Sequence, residues 1–269
     1  MERRDLGLTG LRLPVMGIGA RQAFNVFGKE GQSARRSLVD VALEEAANFF
    51  ETSPEFGDAD GILASSLTGR RQRAILAATL TPGDMRLAHL RIDRALRLFE
   101  ERLDILMVED VTAWAMFEPV FRHMKSDGSL LAAGISCTDP AQFPMLADLM
   151  ESQQIDVIQI PYNPLRQEAA SRILPLASRV GTGVIVARPF DGGALFSHAS
   201  SFVPDRDLQR RGVVSAHQAV LKWILSDERV TSVVPGTRRV RHLRENLAAA
   251  APPWLNTSER ARVAAFFEW

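Results

Sequence analysis

What this chain is short of narrows it first. It has one cysteine, Cys137, so no disulfide can form within it, and a reducing, cytoplasmic setting is expected. It has one tyrosine, Tyr162, and three lysines, Lys29, Lys125 and Lys222, so phenols and amines are available at very few places. Net charge is absent too: 32 basic residues balance 32 acidic ones, which removes the electrostatic case for nucleic acid or an anionic membrane as partner. No apolar run approaches the roughly 18 residues of a membrane span, and the opening MERRDLGLTG has no apolar signal core. The histidines, His89, His123, His198, His217 and His242, show no H-x-x-x-H or other ligand spacing, so no metal is expected. GDADG has two Asp and a Gly but lacks the remaining ligands of a calcium loop.

What is there is an alternation. Short apolar runs (PVMGIGA, NFFETS, AILAATL, LDILMVED, LAAGISC, DVIQIPYN, GVIVARPF, TSVVPG) are separated by amphipathic stretches. Helices are predicted near Ser33–Ala47, Asp60–Thr68, Met85–Arg102, Ala115–Ser126, Pro140–Gln153, Gln167–Val180, Ser215–Ser226, Arg239–Ala249 and Ser258–Trp269. In Met85–Arg102, Leu87, Leu90, Ala95 and Leu98 recur at roughly helical spacing. Strands apolar on both faces belong to a parallel sheet covered on both sides. Eight such units predict one (β/α)8 TIM barrel over residues 1–269. A doubly wound sheet also fits the alternation, but no G-x-G-x-x-G follows the first strand. RDLGLTGLRLPVMG reads as an N-terminal β-hairpin that closes the barrel bottom. Chemistry in such barrels sits at the C-terminal strand ends.

Those ends resemble the aldo-keto reductase family, in order and spacing, over nearly the whole chain. LGLTGLRLPVMGIGA resembles its opening, NFFETSPEFG its second strand, ERLDILMVED its fourth and GSLLAAGISC its fifth. DVIQIPYNPL resembles its sixth, GTGVIVARPFDGGAL its seventh, and VTSVVPGTRRVRHLRENLAA its eighth strand and cofactor-binding helix. The resemblance implies NADPH as cofactor. It implies that Ser136 and Gln159 hold the nicotinamide carboxamide, with Cys137 where an Asn is usual. It places Arg188, Pro189, Phe190 and Gly192 along the pyrophosphate, and Gly236, Thr237, Arg238 and Arg239 at a phosphate-binding helix N-terminus. His242, Glu245 and Asn246 fall near the adenosine; Arg238, Arg239 and Arg241 favour a 2′-phosphate and so NADPH over NADH.

The family's reaction rests on an Asp, a Tyr, a Lys and a His, and this chain departs at all four. The resemblance sets Glu51 at the Asp, Phe56 at the Tyr, Leu80 at the Lys and Glu109 at the His. Sliding the alignment recovers no Tyr–Lys pair, because Tyr162 lies on the sixth strand and no lysine ends the third. Glu51 and Glu109 are the candidate acid and base: two carboxylates in one cavity push their pKa values apart. The alternative is that Glu51 pairs with Arg21 or Arg188. Arg21, Phe56, Trp114, Cys137 and Tyr162 are the candidate substrate pocket, with the arginines suited to an anionic small molecule.

Three functions fit this pattern. One is an NADPH-dependent enzyme using the glutamates for double-bond reduction, elimination or isomerisation. Another is an inactive NADPH-binding sensor or partner subunit. The third is a cofactor-independent enzyme on the same barrel. A monomer or small homo-oligomer is expected.

Overall fold

Eight parallel strands form a ring in which chain neighbours are spatial neighbours. The computed structural model describes residues 1–25, 28–196 and 201–267, and excludes the side chains of 28–32. A hairpin of β1 (Arg3–Asp5) and β2 (Arg12–Pro14) comes first. The ring strands are β3 (Ile18–Gly19), β4 (Phe49–Thr52), β5 (Ile75–Leu80), β6 (Leu103–Glu109), β7 (Leu130–Ser136), β8 (Val157–Pro161), β9 (Gly183–Ala187) and β10 (Ser232–Val233), each paired with the next. The seam closes through the Met16–Val233 bridge, with Gly17 N donating to Val233 O at 2.9 Å.

Helices cover the outside. They are α1 (Ala20–Ala23), α2 (Gly28–Glu44), α3 (Ala59–Ser66), α4 (Met85–Leu98), α5 (Trp114–Asp127), α6 (Phe143–Glu151), α7 (Ile173–Val180), α8 (Arg206–Arg210), α9 (Ala216–Leu225), α10 (Val240–Ala249) and α11 (Thr257–Phe267). None of them is long and apolar enough to cross a membrane, among the described residues. His198 and the end of the helix expected to reach Trp269 lie outside the described residues, as does the Lys29 side chain.

The hairpin plugs the bottom. Leu6 and Leu13 are fully buried with Phe49, Ala77, Ile105, Ala132, Val157 and Ile185 in the barrel interior. Leu8 N donates to Gly181 O at 3.0 Å, at the entry to β9. Gly183 has to be glycine here, since an added Cβ would sit 2.4 Å from Leu6 Cδ1. Arg4 fastens the hairpin to the end of α9 by donating to Leu225 O, Val230 O and Asp227 O.

Local readings needed correction. The stripe that α4 buries is Ala88, Ile92 and Ala95; Leu87 and Leu90 are exposed. The helix expected over Gln167–Val180 is a 3-10 turn at Glu168–Ala170 and then α7, broken at Arg172. The first strand stops at Gly19 and turns directly into α1, and α8 carried no apolar periodicity to reveal it.

An ion pair buried at the N-terminal face joins β5 to β6. Arg71 Nη2 meets Asp104 Oδ2 at 3.0 Å, and the same oxygen accepts from Leu76 N at 2.9 Å. Arg71 also donates to the carbonyls of Phe99, Ala74 and Arg102. A fully satisfied buried pair is costly to halve. Arg71→Ala should therefore destabilise the fold by about 3–5 kcal/mol, read from the midpoint of chemical denaturation.

Candidate functional site

Pleating decides what reaches the C-terminal mouth. Successive strand side chains alternate between faces, so residues two beyond the inner apolar layer point inward again. From Phe49 that gives Glu51; from Ala77, Thr79; from Met107, Glu109; from Gly134, Ser136; from Val157, Gln159; from Ile185, Ala187. All six line one cavity of about 1060 Å³, together with the loops above them.

Glu51 stands on its floor, only 8% exposed. Its register partner is Gly19, whose added Cβ would crowd Val234 O at 3.1 Å and touch Glu51 Oε2 at 3.5 Å. Burial pushes the carboxyl up to about 7, against the opposing pull of the Gln159 side chain and the Arg21 charge. No arginine or lysine closes an ion pair with it within 4.0 Å among the described residues. The expected pairing with Arg21 or Arg188 is therefore not made. Arg21 instead lies over the Phe56 ring, 5.5 Å from its centroid.

The two glutamates do not share a proton. Glu51 is level with Ala77, and Ala77 with Ile105. Glu109 is thus two strands across, roughly 10 Å, and four residues higher, roughly 13 Å. Its carboxylate accepts from Thr81 Oγ1 at 3.5 Å. Desolvation, not a second carboxylate, moves Glu51.

Beside Glu51, Ser136 Oγ donates to Gln159 Oε1 at 2.8 Å. That fixes the Gln159 amide and leaves its buried Nε2 without a hydrogen-bond partner in the protein. Thr79 Oγ1 is likewise buried and unpartnered. Above the floor, Glu55 pairs with Arg91 at 2.8 Å. After β9, Arg188, Asp191, Gly192 and Gly193 all have positive φ, 49°, 47°, 68° and 104°, which bends the chain over the cavity. Phe190, Phe196 and His217 stack on its wall, with Phe196 and His217 centroids 3.7 Å apart. Burial, and then the His242 charge, lower the His217 pKa; Glu245 opposes them.

Most of the expected cofactor residues face this cavity: Ser136, Gln159, Arg188, Pro189, Phe190, Gly192, Gly236, Thr237, His242, Glu245 and Asn246. Arg238 and Arg239 do not line it. The Arg238 guanidinium donates to Gln22 O at 3.0 Å, and Arg239 caps α10 by its backbone. Arg241 pairs with Glu245 at 3.4 Å.

Four positions are corrected. Leu80 turns outward into the helix layer, 1% exposed, and Thr79 is the residue of that strand end that faces the cavity. Cys137 follows Ser136 and so also points outward; it is fully buried, with Sγ 3.4 Å from Asp139 O, and burial pushes the thiol up to about 11. Trp114 stacks on Phe121 within α5. Tyr162 donates to Asp227 Oδ2 at 3.0 Å and accepts from Arg260 at 2.8 Å, behind the barrel wall. Of the expected substrate pocket, Arg21 and Phe56 remain. Thr79 and Glu55, at strand ends expected to face the mouth, line the cavity, and Thr81, Phe196 and His217 join them unanticipated. No local signal marks His217, which arrives from α9.

Comparison with known proteins bears on this geometry. The model of the Aldo/keto reductase family matches residues 15–268. The chain is similar to L-galactose dehydrogenase of Arabidopsis thaliana, 26% identical over 93% of this chain and 88% of that one. It is similar to L-glyceraldehyde 3-phosphate reductase of Escherichia coli O157:H7, 25% identical over 98% and 91%. In fold it is similar to an aldo/keto reductase from Klebsiella pneumoniae solved in complex with NADP and acetate: TM-score 0.82, 16% identity, 99% of this chain and 96% of that one. A holo aldo-keto reductase from Bacillus halodurans gives TM-score 0.81 at 19% identity, over 98% and 95%.

The state of Glu51 has a consequence for stability. Its folded pKa, about 7, lies above the ordinary 4.5, so the folded chain holds a proton that the unfolded chain releases in between. Folding stability is therefore lost as pH rises from 4.5 to 7, and the cost persists above that. Glu51→Gln, which removes the charge, should be more stable than wild type by roughly 3 kcal/mol at pH 8 and indistinguishable at pH 4.5. Denaturant unfolding at the two pH values measures this.

Proposed function

The chain belongs to the aldo/keto reductase family, and from that premise we propose that residues 1–269 form one barrel that binds NADPH and uses Glu51 as its proton carrier. The observation that carries the proposal is a buried carboxyl in the cavity, without a cation, and with its pKa near 7. A group poised there holds and yields a proton at neutral pH.

The residues fit the dinucleotide. Gln159, its Oε1 held by Ser136, turns its amide N–H into the cavity on the Glu51 side, where a carboxamide oxygen would also meet it. The positive-φ turn at Gly192 and Gly193 bares backbone for a pyrophosphate, and the N-terminus of α10 suits a phosphate. Arg238, held by Gln22 O, and Arg241, held by Glu245, stand at that end outside the cavity lining and would reach a 2′-phosphate only by leaving those partners. When bound, the nicotinamide supplies or accepts a hydride.

Glu51 carries the matching proton. Protonated, it donates to the substrate atom that gains electron density; ionised, it accepts. Glu109, at the rim beside Ser136, orients or relays. Thr79 gives a hydroxyl where the family has lysine. Activated double-bond reduction, elimination or isomerisation suits a carboxyl better than carbonyl reduction through the family's tyrosine, since Phe56 has no proton. Arg21 has no carboxylate within 4.0 Å among the described residues, and it supports an anionic small-molecule substrate. A second reading, NADPH binding without turnover, is favoured by the absence of lysine and tyrosine from the cavity lining among the described residues.

NADPH should quench tryptophan fluorescence and raise the melting temperature, NADH less so; no binding of either at millimolar concentration would overturn the proposal. A screen of α,β-unsaturated acids for NADPH consumption should find turnover that falls as pH rises through 7, because reduction needs protonated Glu51. Glu51→Gln should lower kcat about 10²–10⁴-fold while NADPH affinity stays within about threefold. Unchanged kcat would remove Glu51 from the chemistry, and binding without turnover across the screen would leave the second reading.

A further inference from the structure

The floor of the cavity is a carboxyl that lacks a counter-charge. Glu51 is 8% exposed, and among the described residues no cation lies within ion-pair distance of it; the Arg21 charge acts on it from further off. Arg21, on α1, lies over Phe56 instead of closing on Glu51. Glu55 is neutralised by Arg91 of α4. Glu109 stands on β6, held by Thr81. Arg188 stands across the cavity at the end of β9. The strands that flank Glu51 offer only Gly19 and the hydroxyl of Thr79. Across the floor Gln159 turns its amide N–H toward the Glu51 carboxyl, and its carbonyl is already held by Ser136. A buried anion is strongly stabilised by a cation brought within a few ångströms, because little water screens the pair.

We infer that Glu51 makes this cavity selective for the oxidised, cationic nicotinamide ring over the reduced, neutral one. The inference rests on the dinucleotide reading above and adds a preference to it. The two forms of the dinucleotide differ at the ring by one positive charge and share every phosphate, so their affinity ratio isolates what the ring meets. An ionised Glu51 attracts the cationic ring; a protonated Glu51 treats both forms alike. The oxidised form therefore expels the Glu51 proton to solvent on binding, and the reduced form does not. In a reduction, a Glu51 that gives up its proton while the ring becomes positive keeps the charge of the site constant.

The test uses the full chain with NADP⁺ and NADPH, titrated at pH 6 and pH 8 by tryptophan quenching. The ratio of dissociation constants, reduced over oxidised, should rise about tenfold between the two pH values as Glu51 ionises. Titration of the shared 2′-phosphate cancels in that ratio. In Glu51→Gln the ratio should not change with pH. Calorimetry of the wild type in buffers of different ionisation heat should show proton release at pH 6 with NADP⁺ alone, which holds whether or not the variant folds. A pH-independent ratio in the wild type, or equal proton release with both forms, overturns the inference. If neither dinucleotide binds, the cofactor reading fails by itself, and 1-methylnicotinamide against nicotinamide decides what is left. A preference for the cation at pH 8 that Glu51→Gln abolishes upholds the role of Glu51; no preference ends it.

Discussion

The two-residue pleat of a parallel barrel strand is the constraint on which this site depends. Each strand must give one face to the interior and the other to the helices. Once Phe49, Ala77, Met107, Gly134, Val157 and Ile185 face inward, the polar side chains two residues on have only the mouth of the barrel to enter. The same rule sends Leu80 and Cys137 outward, where they are buried among helices. One step of register would exchange these sets, and a floor of Glu51, Thr79, Ser136 and Gln159 would become an apolar one.

Polarity elsewhere in the barrel is handled differently. Asp104 has Arg71 and a backbone N–H, Asp227 has Arg229 and Tyr162, and Glu259 has Arg211. Even the buried Lys222 ends on the carbonyls of Arg211, Ala251 and Pro253. Against that background Glu51 is the exception, because it is buried to a similar degree and has no ionic partner among the described residues. The protein satisfies buried charge where it is structural and leaves it unsatisfied at the cavity floor. Such a group is costly to stability and available for function.

Much of the frame was legible beforehand. The order of strands and helices and the hairpin under the barrel follow from apolar runs and turn residues, and the resemblance put Ser136 and Gln159 at strand ends facing the mouth. The errors share a cause. AILAATL is apolar on both faces, so nothing in it tells which residues look inward, and Leu80 could be mistaken for the cavity position occupied by Thr79. The leucines of α4 suggested the wrong contact stripe for a similar reason: apolar residues stand on its exposed face as well as its buried one. His217 and Phe196 meet on the cavity wall from segments some twenty residues apart, a proximity that no local pattern encodes.

The sequence by itself determined the architecture and the inventory. It set glutamates at two strand ends of the barrel and its one tyrosine and three lysines elsewhere in the chain. Only the tertiary structure decided the surroundings of those glutamates and, with them, the proton affinity of Glu51. Glu51 and Glu109 are the same residue type at equivalent strand ends. One lies beside a glycine on the cavity floor with its carboxyl desolvated, and the other stands at the rim against a threonine hydroxyl. Desolvation depends on what surrounds a group in space, and so the raised pKa of Glu51 exists only in the fold.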